Sequence, residues 1–212
     1  MRKILLFSIV ALIATAFSGC DDGKCHISGT IPENYNGKKI FLVPFTNDSR
    51  FNVDSVVIRD GKFAFERDTL MLAKIILDYH YRIGVEPLLV VVEPGQINVV
   101  IDSVSHATGT PQNDSLDLWK GRKLAHDMQI RLMGAQIAKL RAEGDTVAAN
   151  QMKAQSDSLH LAFKNYTRQM AANLGSGTLY DFLSAFYPKT YKRVMPDSTV
   201  VEFDADTNEP IR

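Results

Sequence analysis

The residues able to do chemistry are few and widely spread. Two cysteines, Cys20 and Cys25, and five histidines, at positions 26, 80, 106, 126 and 160, occur in 212 residues. There is no CxxC motif, and neither cysteine is flanked by groups that would activate a thiolate. Cys25 reads either as a free redox thiol or as a semi-buried residue opening the first strand. No two histidines stand at HxH or HxxxH spacing and HExxH is absent, so neither a metal site nor a cofactor is expected. A GxSxG elbow and a Gly-rich phosphate loop are also missing. Asp204, Asp206 and Asn208 have calcium-loop spacing, but Glu209 stands where that loop needs glycine, so a polar turn or frayed tail is expected. The densest cluster is Asp78, Tyr79, His80, Tyr81 and Arg82, which reads as a small binding surface or as an ordinary strand end. With no assembled catalytic set, the chain is expected not to be an enzyme.

The N-terminus carries an address. Arg2 and Lys3 precede an apolar run from Ile4 to Phe17, the length of a secretory h-region and short of the roughly 20 residues that span a bilayer. The run ends in Phe17-Ser18-Gly19-Cys20. Small residues before a cysteine resemble the lipobox of bacterial lipoprotein signal peptides, with Phe17 in place of the usual Leu. The resemblance implies cleavage after residue 19, acylation of Cys20 and anchoring without a transmembrane helix. The alternative is an ordinary signal peptide with a chance cysteine. Formal net charge is zero, 24 basic against 24 acidic residues. Without Arg2 and Lys3 it becomes 22 against 24, so no basic field points to nucleic acid.

The elements that would position any site divide the chain in two. Leu88–Asp102, LLVVVEPGQINVVID, holds two strand-length apolar runs around Glu93-Pro94-Gly95-Gln96 and predicts a hairpin with a central first strand. Upstream, Cys25–Ile31, Lys39–Phe45, Val53–Ile58, Lys62–Glu66 and Ala73–Tyr79 read as strands, with Arg59-Asp60-Gly61 as a hairpin turn. A last short strand is expected near His106–Gly109. No crossover helix separates these strands, so the spacing predicts an antiparallel β-sandwich over residues 25–111.

In order, ISGTI, GKKIFLVPF, DSVVIRDGKFAFE, LLVVVEPGQINVVID and ATGTPQNDSL resemble the domain of unknown function 4369 over residues 25–118. The matching features are Ser28-Gly29, Asp54-Ser55, Asp60-Gly61-Lys62-Phe63, Glu93-Pro94-Gly95, and Gly109-Thr110-Pro111 with Asn113-Asp114. That domain precedes thioredoxin-like AhpC/TSA domains in envelope lipoproteins of Bacteroidetes. The resemblance therefore implies a β-sandwich and an envelope address, and supplies no catalytic residues. Pro196–Arg212 looks like the opening of a thioredoxin domain, of which no redox half follows.

Residues 112–188 read as helical. Asn113 or Asp114 is expected to cap a first helix, with Ile130, Met133, Ile137 and Leu140 as its inner stripe. Gly144 stops it and Asp145 or Thr146 caps a second helix carrying Leu159, Phe163, Tyr166, Met170 and Leu174. Trp119 is the candidate packing anchor, and Thr178 is expected to cap a third, short helix ended by Pro188. The sequence thus predicts an α+β protein. A signal peptide (1–19) and a lipidated tether (20–24) precede the sandwich, and an αα-hairpin with a short helix and an extended tail (189–212) follow it. The expected function is a lipid-anchored envelope module, at the outer membrane and facing periplasm or cell surface, that binds an envelope protein. The alternative is an accessory of an envelope thiol–disulfide system acting through Cys25.

Overall fold

The computed structural model describes residues 23–45, 53–77 and 87–211. The signal segment, Cys20 and the Asp78–Arg82 cluster lie outside them. The class is α+β: eight strands, then three helices, then a two-stranded sheet. Strands β1 (Cys25–Thr30), β4 (Lys62–Arg67), β7 (Gly95–Val100) and β8 (His106–Thr108) form one sheet in the order β4-β1-β7-β8. Strands β2 (Lys39–Pro44), β3 (Asp54–Val57), β5 (Met71–Ile76) and β6 (Leu88–Val92) form the other, ordered β3-β2-β5-β6. Pairing is antiparallel except between β1 and β7, which run parallel with Cys25 opposite Gly95.

Alternation sets the inner faces. Phe63 and Phe65 are buried while Lys62, Ala64 and Glu66 face out, as period two demands. They join Ile27, Ile97 and Val99 of their own sheet and Ile40, Leu42, Ile75, Val90 and Val92 of the other in one core. Across from Phe63 stands Gly29. A Cβ on Gly29 would sit 2.0 Å from the Phe63 Cζ atom, so the ring lies directly over the glycine and fills the missing side chain's space.

Both turns expected to close hairpins are instead corners between sheets. At Arg59–Lys62 the backbone makes the reciprocal bonds of a two-residue turn, and Asp60 and Gly61 have φ of 49° and 64°. Yet β3 belongs to one sheet and β4 to the other. Glu93-Pro94 likewise carries the chain from β6 across to β7, which then lies beside β1. A turn's chemistry fixes a local reversal, and the sheet each arm joins is decided by which apolar face must go inward. β6 is accordingly an edge strand of its sheet, rather than the central strand that LLVVV suggested. Leu88, Val90 and Val92 enter the sandwich core while Leu89 and Val91 pack under the helices.

Those helices are α1 (Pro111–Ala142), α2 (Thr146–Leu174) and α3 (Thr178–Phe186). α1 begins two residues before the expected cap because Pro111, at its first turn, needs no N–H partner. Asn113 is thereby freed to point inward. Asp145 caps α2, its carboxylate accepting from the Ala148 N–H at 2.9 Å. Gly177, not Thr178, precedes α3. Trp119, Leu116, Phe163, Ala171, Leu179 and Leu183 close a second core over Leu72 and Val91 of the sandwich. The tail expected as extended forms a sheet of β9 (Thr190–Val194) and β10 (Val200–Asp204). Among the described residues no helix is long and apolar enough to cross a membrane.

Candidate functional site

Three segments meet beyond the sandwich: the end of α2, α3, and the Tyr187–Thr190 stretch leading into β9. Gly175 ends α2 with φ of 71°. Leu179 and Leu183, fully buried at i and i+4, hold α3 down. A relay ties this end to the sandwich. The buried Glu93 carboxylate accepts from the Gln112 backbone N–H (2.9 Å) and side-chain amide (2.7 Å), where α1 presents unpaired N–H groups. The Gln112 amide oxygen in turn accepts from the Leu179 N–H at 2.9 Å, at the start of α3.

Arg168 fastens the returning chain. Its guanidinium donates to the Tyr187 carbonyl (Nε, 3.1 Å), the Pro188 carbonyl (Nη2, 2.6 Å) and the Asp206 carboxylate (Nη1, 2.5 Å), while Lys164 pairs with the same carboxylate. The planar fork of arginine suits such divergent acceptors. Between these elements opens a cleft of about 470 Å³ lined by Arg168, Tyr180, Ser184, Tyr187, Lys189 and Thr190, together with the small residues Ala171, Ala172 and Gly175. Among the described residues no carboxylate lines it. Arg168 is committed to structure, and Thr190 donates to Glu202 at 2.5 Å. The Tyr180 and Ser184 hydroxyls and the Lys189 ammonium form no hydrogen bond with the described residues. The cleft therefore offers unspent hydroxyls and a cation beside two tyrosines in its lining, which suits a polar ligand bearing an acidic or hydroxyl-rich group.

The Asp206 clamp has a pH signature. Hydrogen bonds from Arg168, then from Lys164, hold its carboxyl down from 3.8 to about 2. A depressed folded-state pKa gives stabilisation that is complete above the unfolded value and lost as pH falls through the folded one. The difference in β9–β10 amide protection between the unsubstituted chain and Asp206→Asn is expected to be full at neutral pH and to vanish on acidification from 3.8 to about 2. Hydrogen exchange normalised to intrinsic rates checks this, and a pH-independent difference would remove the clamp from the account.

Of the residues singled out from sequence, Cys25 is buried at 2 % exposure, and burial pushes its thiol up, toward the protonated form. The four described histidines do not converge as a group. His106 bonds Asp117 at 2.9 Å at one end of α1. His126 lies buried against Phe163, its ring stacked at 4.5 Å, with the His160 ring 5.3 Å away. Among the described residues no three of His, Cys, Asp and Glu are grouped to hold a metal ion. Asp204, of the calcium-like spacing, spends its carboxylate on the Asp206 and Thr207 N–H groups of its own turn. Trp119 is the anchor it was expected to be. The cleft residues went unnoticed in the sequence, because Tyr180, Ser184 and Lys189 sit apart from Arg168 in the chain and acquire a common face only by folding.

The fold and site define a β-sandwich module with a docked helical hairpin and a polar cleft at the helical end. Residues 25–116 match the family model of a domain of unknown function (DUF4369). No curated protein and no solved structure matches the chain.

Proposed function

We propose that this chain is a non-enzymatic lipoprotein of the Bacteroidetes type, held in the cell envelope by acyl chains on Cys20, that binds another envelope component in the α2–α3–β9 cleft. The cleft with its unspent Tyr180, Ser184 and Lys189 donors is the observation that carries the binding half. The Phe17-Ser18-Gly19-Cys20 sequence behind an apolar run carries the anchoring half. The match to residues 25–116 fits the envelope setting. The alternative, a thiol–disulfide accessory working through Cys25, wants an exposed thiolate, whereas this thiol is buried and shifted toward protonation.

The test uses the full chain in cells. A photocrosslinking residue in place of Ser184 is expected to give one discrete adduct in intact envelopes, abolished by Lys189→Glu. An alkyne fatty acid is expected to label the unsubstituted chain and not Cys20→Ala. Absence of any adduct would overturn the cleft as a binding site, and labelling that survives Cys20→Ala would overturn the anchor.

A further inference from the structure

α1 is apolar on two opposite sides. Its inner side, with Leu116, Trp119, His126 and Ile137, is buried. Its outer side repeats at alternating steps of three and four residues: Leu118, Gly121, Ala125, Met128, Leu132 and Ala135, bracketed by Asp114 and Lys139. All eight are exposed, Leu118 at 69 % and Leu132 at 63 %. A 3.5-residue repeat of this kind is the seam of a coiled coil, and a solvated helix has no use for it.

We propose that two copies of this chain pair through the outer faces of α1, antiparallel. In antiparallel helices, facing residues have numbers adding to a constant, so a single register fixes every pair. One register places Asp114 opposite Lys139, Leu118 opposite Ala135, Gly121 opposite Leu132 and Ala125 opposite Met128. Each large side chain then meets a small one, which is how facing positions interdigitate without voids or clashes. The acidic end of one seam also meets the basic end of the other. Asp114 spends one carboxylate oxygen on the Gly109 N–H, and Lys139 is held only loosely by Glu143 at 3.9 Å. Both are exposed, so both can reach a partner.

Parallel pairing does the reverse. It stacks Leu118 on Leu118, leaves Gly121 facing Gly121, and sets Asp114 against Asp114 and Lys139 against Lys139. The seam from Asp114 to Lys139 is 25 residue steps, about 38 Å at 1.5 Å per residue. With a formal net charge of zero, no overall repulsion opposes self-association. The two-fold axis falls between His126 and Asp127, and the two sandwiches lie at opposite ends of the pair. The cleft, built on α2 and α3, remains open in both copies.

The register is testable in the full chain, solubilised in mild detergent. Chains carrying Leu118→Cys and Ala135→Cys, mixed and oxidised, are expected to form a disulfide-linked species of twice the chain mass. Either chain alone should not, because two copies of position 118 lie 17 steps apart, about 26 Å. Cys25 is buried and the unsubstituted chain sets the background. Leu132→Glu, at an exposed position, is expected to leave circular dichroism unchanged and to convert the sedimenting species from dimer to monomer. The proposal is overturned by a monomer at every concentration reached. It is equally overturned by crosslinking of Leu118→Cys alone, which signals a parallel pair, or by capture of these cysteines on a different protein instead of a second copy.

Discussion

Trp119→Ala is expected to destabilise the protein by about 3–5 kcal/mol, the range for emptying a buried aromatic site. Trp119 is only 3 % exposed and stands where all three helices meet the sandwich. Its ring meets Phe182 at 5.5 Å and Phe186 at 5.1 Å, both edge to face, and Phe163 at 6.1 Å. Edge-to-face pairs set the positive ring rim against the negative face and add about 0.5–1.5 kcal/mol beyond burial. The indole N–H donates to the Thr167 hydroxyl at 3.0 Å, which itself donates to the Phe163 carbonyl. Removing the indole leaves that hydroxyl its own acceptor, so the cost is mainly the cavity and the lost ring contacts. Trp119→Phe separates the two contributions: it keeps most of the packing, loses one hydrogen bond, and is expected to cost about 1–2 kcal/mol. Urea unfolding followed by circular dichroism measures both, since Trp119 is the sole tryptophan and its fluorescence disappears with it. A loss below about 1 kcal/mol for Trp119→Ala would mean the second core does not depend on this anchor.

Particular residues show what could be read from sequence and what could not. That Phe63 and Phe65 share one face follows from the Lys62–Glu66 strand, because alternation is a property of one strand alone. LLVVV, apolar on both sides, read as a central strand buried on both faces, but the second burial comes from helices laid over an edge strand. Arg59–Lys62 and Glu93–Gly95 were recognised as turns, and their role as corners was not, since nothing local tells β7 to join β1. Glu93 stood in a predicted turn and is a buried acceptor for the backbone N–H of Gln112 in α1, a role that depends on Pro111 starting the helix where it does. Arg168, on the cleft wall, and the Asp206 that pairs with it behind are 38 residues apart, and neither stands in a motif. Polar residues that converge by tertiary folding leave no periodic trace. The outer stripe of α1 is the opposite case. It is fully periodic in sequence, yet it becomes informative only once the structure shows that the inner stripe has already been used.

The other large effect is expected at Asn113, which closes the edge of β6. Its side chain is fully buried and does what a neighbouring strand would do. The amide oxygen accepts from the Val91 N–H at 2.9 Å, and the amide nitrogen donates to the Val91 carbonyl at 2.7 Å and to the Thr110 hydroxyl at 2.8 Å. An open edge is a template for pairing with other chains, and here one side chain takes up both exposed groups of Val91. Asn113→Leu retains the volume and strands both Val91 groups in a dry site, each at about 1–3 kcal/mol, so a total of roughly 2–6 kcal/mol is expected. Asn113→Asp is the more telling change. At neutral pH a carboxylate accepts from the Val91 N–H but turns a negative charge on the Val91 carbonyl, and burial without a cation is costly. Protonated, the carboxyl regains one donor and can restore the carbonyl bond. Its folded-state pKa must then lie above the unfolded value near 3.9, so Asn113→Asp is destabilised at neutral pH and recovers as pH falls through that raised pKa. Denaturant midpoints of Asn113→Asp and the unsubstituted chain, compared across mildly acidic pH, read this directly. The gap is expected to narrow on acidification, whereas the Asn113→Leu gap stays constant. Parallel behaviour of the two variants would show that the edge is closed by packing and not by the hydrogen bonds of the amide.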